Sequence, residues 1–556
     1  MKRNIFIVAA LAIFIAMSLG TAQAYIAMYG PTETVYLDET KAEDGYFLYS
    51  IGGATYLIDK KGRVCHSWPV GGFRLISDGR LVTNATGGFQ IVDWDGNITW
   101  SATLPTNNSK FGRAHHDYEP VVDPATGAVT SILYVGQYNV SYAEAKAAGA
   151  DDECVLAEFD RNGDPNQAAA TPDAIYEMDM NGNVIWYWSF WHHVVQSYDP
   201  NGYVTLPDGS TRSTYQAAVE LYPDYLKDQR SRIQDFGRLN INMDDQRRNG
   251  LTLDWTHVNS MSYNPKRDEI VLNDREHGEF FVIDHSLTTE QAYTAMGDFV
   301  YRWGNPSNYG KGLPPDWRQN GHEQLWGAHN VHFIQEGYNG EGHILIFDNG
   351  SKRVQGADPV MSSSFEIDPF GGGDPYTSDY IPQEDAGYTP GPDIATQYGG
   401  YGNLSKQVVW KWSTKELSVF SVGFHSAHIS GTQRCKNGNT TLVAGENGEI
   451  VEVTPDGEVV WNYICPVASG EAKAIHGPYD APNLFRGYPI PKDDPRLAGK
   501  DLTPGATLTG RIPSTLGEGF KYPQKVTYTG WGAATVSGEG GGASEGSSGG
   551  DAGGVY

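Results

Sequence analysis

At 556 residues the chain can hold several average domains or one large all-β unit, and its net charge of −27, from 40 Lys and Arg against 67 Asp and Glu, excludes the basic patches that nucleic-acid binding needs. Aromatic residues are 12% of the chain, enough to build a large core, so global disorder is excluded as well.

Residues 1–24 read as an export signal. A basic "MKRN" precedes the apolar "IFIVAALAIFIAMSLG", and Ala22-Gln23-Ala24 is a small-x-small cleavage site. The expected mature protein starts at Tyr25 and is periplasmic or secreted, with no membrane attachment. Four cysteines, Cys65, Cys154, Cys435 and Cys465, could form up to two disulfides in that compartment. No CxxC pair supports a zinc ribbon or a redox motif.

From residue 45 onward one grammar repeats: an apolar run ending in Asp, a glycine turn, then a strand with paired aromatics. It appears at 55–68 ("TYLIDKKGRVCHSW"), 89–100 ("FQIVDWDGNITW") and 175–188 ("IYEMDMNGNVIWYW"). It returns in interrupted form at 280–303 ("FFVID" to "FVYRW") and 364–412 ("SFEID" to "QVVWKW"). The last copy, 449–463, has Thr454 where the others have Asp59, Asp93, Asp179, Asp284 and Asp368. In a strand, Trp186/Trp188, Tyr301/Trp303 and Trp410/Trp412 each share a face, where they would pack between neighbouring sheets. Six such units predict an all-β, six-bladed β-propeller spanning 25–536.

The first unit shows only three strands, "GYFLYS", "TYLID" and "RVCHSW". The segment around "NLFRGYPI" (483–490) is expected to supply its inner strand and close the ring. Long loops at 138–172, 190–250, 304–327 and 369–405 are of the length that usually carries function. A helical patch is expected at 214–237. The Gly/Ser-rich tail 537–556 is expected to be disordered.

Four inner strands begin with a histidine: His116, His257, His329 and His428. In a propeller these starts converge on one mouth of the central channel, so histidines distant in sequence become neighbours. Arg353, after "FDNGSK", can reach the same mouth, and Arg275 occupies the matching turn one blade earlier. Asn259 and Asn330 flank the histidines and would orient them or bind ligand. Clustered imidazoles can ligate a transition metal, or one can attack as a nucleophile while others and an Arg hold an anion. The chain has no HExxH motif, Walker A loop or dinucleotide fingerprint, so no metal and no nucleotide cofactor are expected.

The passages "HHDYEP", "DWTHVNSMSYNP", "WGAHNVHFI…HILIFDNGSKR" and "HISGTQRCKNGNTTLVAGENGEIVEVTPDGEVVW" resemble the bacterial aryl-sulfate sulfotransferases that work without a nucleotide donor. The resemblance implies a six-bladed propeller in which a channel histidine takes a sulfuryl group from a phenolic sulfate. A second phenol then receives it in a ping-pong cycle through a sulfohistidine. It implies His428 as nucleophile, with His425 three residues away as the alternative. His257, His329 and Arg353 would bind the sulfate, His257 or His329 as a protonated imidazole, with His116, Asn259 and Asn330 as further substrate contacts. Partners would be a small aryl sulfate and a phenol. The residues alone leave two other readings open: a metal-dependent propeller lyase or hydrolase, and a non-catalytic binding module.

Overall fold

Alternating side chains and glycine turns fold this chain into six antiparallel sheets around an axis, a six-bladed β-propeller. The computed structural model describes residues 30–72, 74–105, 111–148, 168–195, 203–205, 211–213, 237–240, 244–245, 248–249, 254–309, 311–312, 321–351, 362–389, 404–413, 424–476, 480–510, 526–528 and 534–536. The export segment 1–24, Cys154, the patch 214–236, Arg353 and the tail 537–556 lie outside the described residues.

The chain enters through β1 (Glu33–Leu37), then forms β2 (Gly45–Ile51), β3 (Ala54–Asp59) and β4 (Val64–Trp68) of blade 1. Blade 2 is β5 (Arg74–Ile76), β6 (Arg80–Ala85), β7 (Gly88–Val92) and β8 (Ile98–Thr103). Blade 3 is β9 (Phe111–Val122), β10 (Val129–Tyr138), β11 (Asp173–Asp179) and β12 (Val184–Ser189). Blade 4 is β13 (Val258–Asn264), β14 (Glu269–Asp274), β15 (Glu279–Asp284) and β16 (Tyr301–Trp303). Blade 5 is β17 (His329–Phe333), β18 (Ile344–Asp348), β19 (Ser363–Ile367) and β20 (Val408–Trp412). Blade 6 is β21 (Gly431–Arg434), β22 (Thr440–Ala444), β23 (Glu449–Val453) and β24 (Val459–Ile464).

A final strand, β25 (Gly487–Pro491), pairs with β2 and is the innermost strand of blade 1. At the other end of the chain β1 pairs with β24 and makes blade 6 five-stranded, an addition the sequence grammar does not announce. Segments 33–37 and 487–509 therefore meet at the seam between blades 6 and 1. Thr509 bonds Glu33 there twice, N–H to Oε1 at 2.8 Å and hydroxyl to Oε2 at 2.9 Å.

The repeated Asp is a turn device. Asp59, Asp179 and Asp368 each accept backbone N–H groups of the turn that follows, as Asp93 does from Asn97 and Asp284 from Ser286. Thr454 does the same through its hydroxyl, to Glu458 N. The side chain takes the place of a backbone acceptor and fixes the turn locally.

The repeated aromatic is an inter-blade tie. The indole N–H of Trp100 reaches Met180 O of blade 3 at 2.9 Å, and those of Trp186 and Trp188 reach Leu287 O and Gly297 O, both at 2.8 Å. Trp410 and Trp412 bond Pro455 O and Gly457 O, while Trp461 bonds Lys60 O across the closing seam. Blade 4 uses Tyr301, whose hydroxyl lies 3.1 Å from Gln407 Oε1, and blade 1 uses His66 against Trp94 O. Each of these rings removes apolar area from water and satisfies its polar edge on the next blade, whereas the buried indoles of Trp68 and Trp303 contribute through packing.

Along the axis Asp117 lies between Arg74 (2.9 Å) and Arg486 (2.7 Å), fully buried. Burial would raise its pKa, but the two guanidiniums outweigh it and hold the carboxyl below its ordinary value. Cys65, Cys435 and Cys465 are buried and unbridged, so the two-disulfide arrangement does not form. Burial pushes the thiols of Cys65 and Cys465 up to about 11 and about 12.

Candidate active site

Four inner strands leave regular β geometry at the same mouth. His116, His257, Asn330 and Ile429 have φ of 55°, 50°, 54° and 51°. Register slips there in three of these blades, between Ala114 and Tyr118, Val258 and Ser260, and His329 and His332. Bulges re-aim side chains, and left-handed non-glycine residues concentrate strain at sites the surroundings over-determine. This geometry also corrects the expected equivalence of the four histidines. His116 and His257 hold the left-handed position, whereas His329 and His428 precede it by one residue, where blades 3 and 4 carry His115 and Thr256.

Polar partners set the tautomers. His428 Nδ1 lies 2.6 Å from Glu446 Oε1, and His257 Nδ1 lies 2.7 Å from Asp254 Oδ2. A carboxylate only accepts, so in the neutral rings Nδ1 carries the hydrogen and Nε2 keeps its lone pair. The His428 side chain is 48% exposed while its carboxylate partner is 8% exposed, so the ring opens to the channel mouth from a buried anchor. Burial raises the Glu446 pKa, but His428 and the Ala427 N–H more than offset this and hold the carboxyl below its usual range.

His329 differs from its expected role. Its Nδ1 lies 2.6 Å from Asn349 Oδ1, and its Nε2 accepts the Ile429 N–H at 3.2 Å. The Asn349 amide donates to Ser426 O and Ile429 O, which leaves Oδ1 to accept from the imidazole. Both ring nitrogens are thus committed, and burial, with the nearby Arg275, holds the pKa well below the usual histidine value. In this arrangement His329 braces the backbone beside His428.

His115, His116 and Asp173 form a chain. His116 Nδ1 and His115 Nδ1 are 2.7 Å apart, and His115 Nε2 is 2.8 Å from Asp173 Oδ1. Asp173 Oδ2 accepts from the Thr256 hydroxyl and the Val258 N–H. The rings of His116 and His257 meet edge-on at 4.7 Å, which joins this chain to the rim of blade 4.

The asparagines hold blades together. Asn259 donates to Ala328 O and accepts from Asn273; Asn330 Oδ1 accepts from Thr432 N and Gln433 Nε2. Both are buried, and their amides are engaged in backbone and inter-blade bonds. Arg275 is half-buried beside Glu276, and its charge depresses His329. His425 shares the surroundings of Glu446, its carbonyl accepting from Asn447 Nδ2. Among the described residues no three His, Cys, Asp or Glu side chains are grouped to hold a metal ion, and no helix is long and apolar enough to cross a membrane.

Sequence reasoning missed Glu446, Asp173, Asp254 and His115. Glu446 had a signal: "AGENG" after β22 and "FDNGS" after β18 occupy the same turn, and both His428–Glu446 and His329–Asn349 bridge that turn to the residue before the left-handed position. Asp173 had none, because it lies 58 residues from His115 and reaches it only through the sheet.

Solved structures resemble the chain loosely. A Bacteroides caccae protein of unknown function is 10% identical over 81% of this chain and 99% of that one, at a TM-score of 0.34. The Pseudomonas aeruginosa periplasmic gluconolactonase is 10% identical over 80% and 99%, at 0.33. A functionally unknown Desulfotomaculum acetoxidans protein is 6% identical over 78% and 98%, at 0.30. Overlaps this loose carry no argument about fold or activity. No curated protein matches the chain. Residues 37–366 match the arylsulfotransferase (ASST) family, a stretch that holds His116, His257, His329 and Arg353 and stops short of His428 and Glu446. That match takes in more than half of the sequence, and the chain belongs to the arylsulfotransferase family.

Proposed function

We propose that this sulfotransferase moves a sulfuryl group from an aryl sulfate to a phenol through a sulfohistidine on His428. The observation that carries the reading is the His428–Glu446 contact, which engages Nδ1 and leaves Nε2 as the attacking nitrogen of a half-exposed ring. In the first half-reaction Nε2 attacks sulfur, the S–O bond to the aryl group breaks, and its electron pair leaves on the phenolate. The N-sulfated ring still carries its Nδ1 hydrogen and is formally cationic, so the Glu446 carboxylate balances its charge. Charge spread over three sulfuryl oxygens, much as in phosphoryl transfer, calls for cationic or N–H donors. His257, held at Nδ1 by Asp254, supplies one when Nε2 is protonated as well, and the sequence offers Arg275 and Arg353 as cations, Arg353 lying outside the described residues. In the second half-reaction a phenol oxygen attacks sulfur, and the S–N bond returns its pair to Nε2.

The test is to incubate the protein with 4-nitrophenyl sulfate and no acceptor, then locate added mass by peptide sequencing. One sulfuryl group at residue 428 is expected, and the His428→Asn variant should fold yet lose both label and turnover. A label at His425 would transfer the nucleophile's role three residues upstream. No label on any histidine, with turnover intact, would end the covalent reading.

A further inference from the structure

The reaction as written leaves one proton unassigned. The leaving phenolate must gain a proton, and the entering phenol must lose one. Glu446 cannot take it without giving up its charge on the sulfated ring, and both nitrogens of His329 are committed.

The blade 3 rim has the needed group. Asp173 is fully buried and its two oxygens accept from His115, Thr256 and Val258, so His115 Nε2 must carry a hydrogen. In neutral His115 the other nitrogen, Nδ1, is therefore bare and accepts the Nδ1–H of His116 across 2.7 Å. That leaves His116 Nε2 with a free lone pair. His116 also lines a cavity of about 260 Å³ together with Gly71, Asn84, Phe485 and Arg486. Gly71 on the rim of this cavity is exposed, so the cavity opens to solvent there. His116 and Phe485, their ring centroids 6.4 Å apart, share the wall of this cavity, which offers a phenol both a base and an aromatic surface.

From this geometry, and resting on the sulfotransfer reading above, we infer that His116 is the acid–base catalyst of the reaction, with His115 and Asp173 as its relay. As the phenol oxygen bonds to sulfur, its proton moves to His116 Nε2. The His116 Nδ1 hydrogen passes to His115 Nδ1. His116 ends neutral and His115 becomes an imidazolium facing the Asp173 carboxylate at 2.8 Å. The first half-reaction therefore begins with His115 as the imidazolium and His116 carrying its hydrogen on Nε2; the same steps run backward, protonate the departing phenolate and leave the neutral pair for the second half, so no net proton is consumed over the cycle. The relay explains how His116 can serve at all. Burial, then the neighbouring His115 and His257, push its pKa down to about 4, with Arg486 adding to the effect and Asp173 opposing it. A cation on His116 itself is disfavoured, and the relay moves that cation one ring outward to the buried carboxylate.

The experiment varies the acidity of the acceptor on enzyme sulfated beforehand. His116→Asn suits the left-handed backbone, which Asn tolerates better than most residues. Discharge onto phenol should fall about 100- to 10,000-fold in this variant. Discharge onto 4-nitrophenol, largely ionised at pH 8, should fall far less. His115→Gln should give the same acidity-graded loss, which a merely structural role would not produce. Equal losses for both acceptors, or no loss for phenol, would overturn the assignment of His116 while leaving His428 in place. If wild-type protein never acquires a sulfated histidine, the nucleophile reading fails first and the relay falls with it.

Discussion

Glu446 and Glu449 lie three residues apart in blade 6, and their surroundings drive them in opposite directions. Glu446 is held ionised by what it serves, so Glu446→Gln should leave the fold intact while weakening the orientation and charge balance of His428. A loss of about 1–3 kcal/mol in the barrier for histidine sulfation is expected from removing a charged hydrogen-bond partner, read as a 10- to 100-fold slower label. Glu449 is fully buried and bonded only to Asn462 Nδ2 at 2.7 Å among the contacts seen. Burial raises its pKa to about 7, with Asn462 partly opposing the rise. A carboxyl raised in the folded state stabilises that state below its ordinary pKa and loses the contribution as pH climbs through about 7. Glu449→Gln should therefore match wild type near pH 4.5 and exceed it at pH 8, by about 3 kcal/mol at most from the size of the shift. Chemical denaturation at the two pH values checks the sign. The histidines were legible in the sequence because they recur at strand starts. Their carboxylate partners were not, since a lone Asp or Glu carries no mark of which imidazole the fold will bring beside it.

At the level of the strand, the closing aromatics show how far a repeat can be read. Their spacing placed them on one face, and they do lie between blades. The bonds that Trp100, Trp186, Trp188, Trp410 and Trp412 make to the following blade, 45 to 109 residues onward, and that Trp461 makes back to Lys60, depend on radial packing that no local pattern encodes. Trp188 is buried and gives its N–H to Gly297 O. Trp188→Phe keeps most of the ring but strands that carbonyl, so a loss of about 1–3 kcal/mol in unfolding free energy is expected. Trp410, whose ring is more exposed, should tolerate the same change with a smaller loss. The bulges at the rim were equally illegible. Nothing in "HHDY", "THVN" or "AHNVH" announces a left-handed residue, and only the slipped ladders reveal which histidines share a position.

For the whole ring, the decisive strands are those from the chain ends. A protein ending at residue 470 lacks β25 and leaves the inner edge of β2 unpaired, next to the axial network that Arg486 completes. It should lose cooperative thermal unfolding by circular dichroism. Removing residues 30–37 instead takes away only the fifth strand of blade 6, so the ring stays closed and the melting temperature should fall less. Such a seam has a consequence for chain order itself. Residue 509 touches residue 33, so in a protein trimmed to 33–509 a short linker could join those two positions, and new ends could be cut between β12 and β13 without dividing any blade. In that rearranged chain blades 1 and 6 would become covalent neighbours and blades 3 and 4 would meet by contact alone. The propeller has a direction around its axis, but its first blade is a matter of where the gene begins.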